Sequence, residues 1–352
     1  MIDWLSSMQQ TYEYYIVDPN TWKDVKRIEN IKRCSIDRDS EAETLGSATI
    51  DMVDSIGECY IRGYLVAIQN GISYRYPLGT FLVETPSWSF DGKTKDVSVD
   101  AYTPLIELKE NLPPIGYSLL KEDNIMSAAY RLCREHARAP IIEATCSTTL
   151  HDDFVANTDD TWLSFLSDLI ANAKYMFGLD ELGRIIFLPR QDTASLQPVW
   201  TYTDDNSSIL YPDISMDQDL YGIPNVVEVV YSNGNSHYYA RVVNDNPNSP
   251  ISTVSRGREV VYRDTNPSLN GSPTQKQTED YAERLLREMS TLECTVTYSH
   301  GYCPVRLNDC VRLNYTRSGL SGIKAKVIKQ TIDCETSCKV TETAVYTTNL
   351  WR

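Results

Sequence analysis

Residues 60–83 read YIRGYLVAIQNGISYRYPLGTFLV, two apolar-rich runs joined by Asn70-Gly71. Asn-Gly supplies the two positive-φ residues of a type I′ turn, the tightest link between antiparallel strands. Counting outward sets Ala67 opposite Tyr74 and Leu65 opposite Tyr76, which makes one face of the hairpin apolar. A second pair, Asn233-Gly234, sets Val229 opposite Tyr238 and Val227 opposite Ala240, with Glu228, His237 and Arg241 on the other face. A third hairpin is expected over 324–348 around the loop Glu335-Thr336-Ser337, pairing Ile332 with Val340, Ile328 with Ala344 and Asp333 with Lys339. Further strands are expected over 27–39, 47–53, 79–84, 96–101, 293–299 and 309–315. The 23 tyrosines, beside many Val, Ile and Thr, suit pleated and half-buried surfaces.

Helices are few. Over 161–173 the apolar residues Trp162, Phe165, Leu166, Leu169, Ile170 and Ala173 form one amphipathic stripe, and Asp159-Asp160 stand ahead of it as capping residues. The period then breaks into Tyr175-Met176-Phe177-Gly178-Leu179, a turn Asp180-Glu181-Leu182-Gly183, and a strand ending at Pro189. Other helices are expected over 123–136 and 273–290. The latter opens Ser272-Pro273-Thr274-Gln275, read as a capping box with proline in the first turn, and carries the stripe Tyr281, Ala282, Leu285, Leu286 and Met289. Glu283 precedes Arg287 by one turn on that helix.

The expected fold class is mainly β with an α+β insertion. Residues 1–110 form a first β-rich domain completed by strands within 201–243, residues 111–200 an inserted α+β domain, and residues 244–352 a second β-rich domain with the helix 273–290. The polar, turn-rich run 244–250 marks the second boundary. No repeat of fixed period is present in the sequence.

With 33 Lys and Arg against 48 Asp and Glu, the net charge is −15, which argues against a surface that clamps nucleic-acid phosphates. The N-terminal MIDWLSSMQQ lacks the pattern of a secretory signal, and no apolar run reaches a membrane span, so a soluble chain made in a cytosol and without stable membrane association is expected. The nine cysteines are irregularly spaced and read as reduced, buried thiols.

No catalytic, cofactor-binding or metal-binding residues are assigned. The four histidines, His136, His151, His237 and His300, fit no zinc-protease spacing. The sequence holds no nucleophile elbow and no glycine-rich phosphate loop at a helix start. The pairs Asp152-Asp153, Asp159-Asp160 and Asp204-Asp205 read as turn or cap residues rather than the separated carboxyls of a glycosidase. Cys303, Cys310, Cys334 and Cys338 lack the short knuckles of a zinc ribbon, so no metal is expected there. Cys334 and Cys338 flank the expected hairpin loop, where a disulfide or two free thiols would both fit.

The order helix, strand, D-x-x-G turn, strand ending in Pro over 161–189 resembles a unit of the hub proteins at the distal end of phage tails. Residues 60–83 followed by 94–108 (TKDVSVDAYTPLIEL) are similar to that family's first barrel, and Ile223-Pro224-Asn225-Val226-Val227-Glu228-Val229 to its I-x-N-x-V-x-V strand. A helix over 279–289, a strand, then PVRLNDCVRL at 304–313 resembles its P-x-L-x-x-G-D-x-V-x-V segment, with Asn308 in the glycine position. Asn tolerates the left-handed turn that this position needs.

The resemblance spans nearly the whole chain and implies two tail-tube-like β-barrel domains plus the insertion. It further implies a homotrimer with six tube-like units. Such a ring adapts a sixfold tail tube or distal tail protein to a central spike or fibre, beside other baseplate proteins. DNA would pass transiently through a channel lined by acidic residues. The protein would be non-enzymatic and without cofactors, assembled in the host cytoplasm and placed at the distal end of the virion tail. Two alternatives stand beside this. A tail-associated peptidoglycan hydrolase needs a further core, for which the sequence leaves little room after the last strand. A carbohydrate-binding tail-tip protein would use aromatics such as Trp88, Trp200 and Trp351.

Overall fold

Antiparallel pairing begins with the first strand of the chain. The computed structural model describes residues 2–54, 56–90, 92–93, 95–205, 208–232, 236–269 and 273–351. Its opening strands are β1 (Gln9–Val17), β2 (Asp24–Ile28), β3 (Ile31–Asp39), β4 (Gly46–Met52), β5 (Tyr60–Gln69), β6 (Ile72–Phe90) and β7 (Lys95–Tyr102). Asn70 and Gly71 turn β5 into β6 with φ of 53° and 75°, the left-handed pair that the dipeptide supplies. Leu65 accordingly opposes Tyr76, and Ala67 opposes Tyr74. The single strand expected over 27–39 is two strands, because the chain breaks at Glu29-Asn30 and β2 pairs with β1 while β3 pairs with β4. β1 has no counterpart among the expected strands; its QQTYEYYIV is polar and Tyr-rich and carries aliphatic residues only at Ile16-Val17.

The middle of the chain carries α1 (Ile106–Glu110), β8 (Ser118–Leu119), α2 (Ile125–His136), β9 (Ile141–Ile142), β10 (Phe154–Val155), α3 (Trp162–Ala171), β11 (Tyr175–Leu179) and β12 (Ile185–Pro189). Thr161, not Asp159 or Asp160, caps α3. Its Oγ1 accepts from Ser164 N at 3.1 Å while Ser164 Oγ accepts from Thr161 N at 2.9 Å, and Asp160 is engaged by Asn157 N at 2.7 Å. Lys174, with φ of 62°, leaves the helical region and redirects the chain into β11, the point where the apolar period changes. Trp162, Phe165, Leu166, Leu169 and Ile170 are buried with Ile125, Leu132, Phe177 and Phe187, in a core continuous with Val17, Trp22, Tyr60 and Leu82.

The rest of the chain forms β13 (Trp200–Thr203), β14 (Leu210–Gln218), β15 (Val226–Ser232), β16 (His237–Val243), α4 (Thr253–Arg256), β17 (Val261–Asp264), α5 (Gln275–Met289), β18 (Thr291–Gly301), β19 (Cys310–Tyr315), β20 (Leu320–Asp333) and β21 (Lys339–Asn349). The main sheet runs β14-β18-β21-β20-β3-β4-β7-β6-β5-β1-β2, with β19 joining β13 to β20. The fold is thus mainly β, with α1–α3 in the middle of the chain and the longest described helix, α5, in its last third. Contacts divide the chain into one unit of 1–214 with 298–344 and another of 215–297 with 345–352.

In the second unit, β16, β15 and β17 form a three-stranded sheet. Val229 opposes Ala240 and Val227 opposes Val242, a register two residues away from the expected one. The Asn233-Gly234 turn lies outside the described residues; the described pairing ends with Ser232 opposite His237. A shift of two preserves the faces, because side chains alternate with period two. Val227, Val229 and Ala240 are therefore buried as expected, against Ala282 and Leu286 of α5. The cap of α5 is Thr274 with Gln277, not Ser272: Thr274 Oγ1 accepts from Gln277 N at 3.3 Å and Gln277 Oε1 accepts from Thr274 N at 2.8 Å. Ser272 lies outside the described residues, and Pro273 precedes the cap.

Candidate functional site

The D-x-x-G turn between β11 and β12 shapes itself and then docks. Asp180 Oδ1 accepts from Leu182 N at 3.0 Å and Arg184 N at 2.8 Å, while Gly183 takes φ of 71°. This projects the Leu182 carbonyl outward. Trp22 Nε1 donates to it at 2.8 Å, Thr80 Oγ1 at 2.9 Å and Arg62 Nη2 at 3.1 Å. Arg62 is only 4% exposed, and its charge is met by Asp24 Oδ1 at 3.0 Å. Three segments of the first unit, the 18–24 turn, β5 and β6, thus converge on one carbonyl. A helix running straight into a hairpin delivers that carbonyl at a fixed height above the sheet.

The second motif of the resemblance lies beside the first. In the loop before β19, Asn308 has φ of 68°, the left-handed conformation expected at that position. Asp309 Oδ2 accepts from Arg306 N at 2.8 Å, and Arg306 is ion-paired with Glu181 of the docked turn. Both motifs line a cavity of about 180 Å³, together with Arg38, Thr80 and Thr103. That is below the ~300 Å³ at which drug-sized ligand sites begin. Burial pushes the Asp309 carboxyl above its ordinary range.

A sealed polar cluster lies among β13, β18, β20 and β21. Glu342 and His300 are wholly buried, and Tyr202, Tyr298, Cys303 and Gln330 are nearly so. Glu342 Oε2 accepts from Tyr298 Oη at 2.7 Å and Tyr202 Oη at 3.1 Å; Oε1 accepts from Gln330 Nε2 at 2.6 Å and lies 3.3 Å from His300 Nε2. His300 Nδ1 is 2.6 Å from the Gly301 carbonyl, so both ring nitrogens face oxygen acceptors and the imidazolium form fits. Burial works against that charge, but the Glu342 carboxylate and Cys303 raise the pKa to about 10. Burial likewise opposes the Glu342 charge, and His300, Gln330 and Tyr298 overcome it and lower the carboxyl pKa. Cys303, His300 and Glu342 are the residue types of a nucleophile, base and acid. Here they are buried, and the polar atoms of Glu342 and His300 are engaged within the cluster or by backbone.

The other residues weighed in the sequence are scattered. His136 stacks on Trp162 with ring centroids 4.2 Å apart, and His237 Nδ1 lies 2.9 Å from Ser232 Oγ on an exposed face. His151 is exposed in a loop. Asp153 accepts from Lys121 N at 2.8 Å, and Asp204 from Arg317 N at 3.2 Å, both as loop anchors. Cys303 belongs to the sealed cluster, Cys310 to β19, and Cys334 and Cys338 to the β20–β21 turn. Among the described residues, no group of three His, Cys, Asp or Glu is disposed to hold a metal. No helix among them is long and apolar enough to cross a membrane. Of the three tryptophans considered for glycan contact, Trp88 is 67% exposed, while Trp200 and Trp351 are partly buried.

Sequence reasoning missed Arg62, the Leu182 carbonyl and the Glu342 cluster. A signal existed for the last. Alternation along β18 places His300 on the face of Val296 and Tyr298, and alternation along β21 places Glu342 on the face of Val340 and Ala344. A charged residue at an inward position calls for a partner.

No protein-family model and no curated protein matches the chain. Solved structures do. A tail protein from Neisseria meningitidis MC58 superposes with a TM-score of 0.61 at 11% identity, over 97% of this chain and 98% of its own. The 43 kDa tail protein of prophage MuSo2 from Shewanella oneidensis gives 0.59 at 12% identity, over 95% and 98%. A chain of the Francisella PdpA–VgrG complex gives 0.54 at 8% identity, over 97% of this chain but 53% of that one. From end to end, and with both resembling motifs brought to one junction, the chain has the fold of these two tail proteins.

Proposed function

We propose that the chain is a structural hub at the distal end of a phage tail. The observation that carries this reading is the likeness to two tail proteins over nearly the full length of both partners. On this reading three copies close a ring whose two tube-like barrel domains per chain present six units to the tail tube or distal tail protein. The opposite side holds a central spike or fibre and other baseplate proteins. The long β6–β7 arm suits assembly, since Trp88 and Phe90 near its tip are 67% and 61% exposed. Much of the net charge of −15 would face the channel, where a negative wall keeps passing DNA from adhering.

The role is mechanical and without a cofactor, and wall-degrading activity belongs to another protein. Electron microscopy of the purified chain, alone and mixed with its tail tube, tests this. The expected particle has threefold symmetry, three chains of 40.0 kDa and an acidic lumen. A ring without a threefold axis, a lumen lined by Lys and Arg, or clearing of host cell walls by the purified chain would each overturn it.

A further inference from the structure

The register of β3 against β20 runs from Asp39–Lys329 to Ser35–Asp333, and its next step sets Cys34 opposite Cys334. Cys334 N donates to the Cys34 carbonyl at 3.0 Å, so the ladder does continue through that pair. Hydrogen-bonded opposed residues of an antiparallel ladder point to the same face with Cα atoms about 5.5 Å apart, inside the ~4.4–6.8 Å that a disulfide spans. Tyr14 of β1 lies against both thiols. Cys34 is 2% exposed and Cys334 7%. Cys334 also lines an open cavity of about 330 Å³ beside Tyr12, Tyr14, Arg27 and Arg33. Cys334 is therefore the member of the pair that borders solvent-accessible space. Cys338 is the other neighbour of Cys334, but its φ of 39° departs from the strand, and its thiol is engaged by Tyr12.

We propose that Cys34 and Cys334 form a redox-closable pair, joined by a cross-strand disulfide when the protein meets a peroxide. The peroxide oxidises the Cys334 thiol to a sulfenic acid and releases one water. The Cys34 sulfur then attacks the Cys334 sulfur, the S–S bond forms, and the hydroxyl leaves with the thiol proton as a second water. Two electrons pass from the two thiols to the peroxide, and a thiol reductant reverses the closure. Burial slows the reaction, because the thiolate is the reactive form and both the Cys34 hydrogen bond and burial hold the Cys334 thiol well above its ordinary range. The closed bond would tie β3 to the end of β20, two strands nearly 300 residues apart in sequence. The inference is independent of the tail reading.

The test treats the intact, pre-reduced protein with hydrogen peroxide, alkylates it with iodoacetamide and digests it with trypsin without reduction. Trypsin separates residues 34–38 from residues 330–339, which hold both Cys334 and Cys338. The expected product is these two peptides joined, with the one alkyl group on Cys338. Cys338→Ser should keep the link, and Cys34→Ser should abolish it. Closure within 330–339, a link from Cys34 to Cys338, or full alkylation of both peptides although surface methionines are oxidised would overturn the proposal. Because the peptide map is read on the unmutated chain, a variant that fails to fold leaves the decision intact.

Discussion

At Leu182 a neutral backbone carbonyl gathers three donors, whereas at Glu342 a charged carboxylate gathers Tyr202, Tyr298, Gln330 and His300. The first junction ties a turn to a sheet, and its one buried cation, Arg62, is balanced by an Asp24 that still touches solvent, at 21% side-chain exposure. The second joins neighbouring strands and is sealed on every side. A carbonyl keeps useful partners when one donor is lost. A sealed carboxylate does not, since its charge has no solvent to turn to and each donor offsets part of its desolvation. The turn dock should therefore be graded in its response to mutation, and the sealed cluster should fail abruptly.

The largest effect is expected from His300→Ala, which leaves Glu342 buried without its counter-charge and should cost about 3–5 kcal/mol in denaturant unfolding. Glu342→Gln should cost less, because the amide keeps the shape and His300 can then lose its proton. The two pKa shifts also set a pH window. The Glu342 carboxyl is held below its ordinary 4.5, so its contribution is complete above that value and is lost as pH falls through the lowered pKa. His300 is held at about 10 against an ordinary 6.5, so its contribution is complete below 6.5 and is lost as pH rises toward 10. Both act fully only between those ordinary values, where the unfolding midpoint should peak, and Glu342→Gln should flatten the profile. If the wild-type and Glu342→Gln profiles were parallel from acid to alkaline pH, the ion pair would not be what locks these strands.

Local rules made much of the fold legible. Asn70-Gly71 states its turn type, the 161–173 stripe states its buried face, and Asn308 stands where a left-handed residue is needed. What escaped depends on pairs distant in sequence. The Asn233-Gly234 hairpin keeps its faces but not its register, because an apolar pattern of period two cannot distinguish registers two apart. Asp160 and Thr161 are both good caps by type, and only the Ser164 partner decides between them. His300 and Glu342 lie on different strands, so each looked isolated until the sheet order brought β18 beside β21.

Arg62→Met probes the graded junction. The apolar stem keeps its volume, but the donors to Leu182, Trp22 and Asp24 are lost. Leu182 retains Trp22 and Thr80, and Asp24 retains Tyr64 Oη at 2.8 Å. A cost of about 2–3 kcal/mol is expected, below that of His300→Ala, because the Leu182 carbonyl and Asp24 keep other donors and only the neutral Trp22 carbonyl loses its donors. Hydrogen exchange should then speed up at Leu182 to Arg184 while leaving β18 and β21 protected. Faster exchange in β18 as well would mean that the two junctions are one cooperative network.

The smallest effects separate docking from turn strain, by the pair Gly183→Ala and Gly71→Ala. The two glycines have nearly the same left-handed φ, 71° and 75°, so alanine carries the same backbone cost of about 1 kcal/mol at each. Their surroundings differ. A Cβ on Gly71 meets nothing within 4 Å, whereas one on Gly183 would come within 2.6 Å of Thr80 Cβ, close enough that something must shift. Thr80 cannot retreat freely, since its Oγ1 donates to the Leu182 carbonyl and accepts from Arg62 Nε at 2.8 Å. Gly183→Ala should therefore cost about 2 kcal/mol, the excess over Gly71→Ala being the loosening of the dock. Equal losses at the two sites would show that the turn and the sheet part without penalty, and that the Leu182 junction is a contact of convenience and not what fixes the hairpin to the sheet.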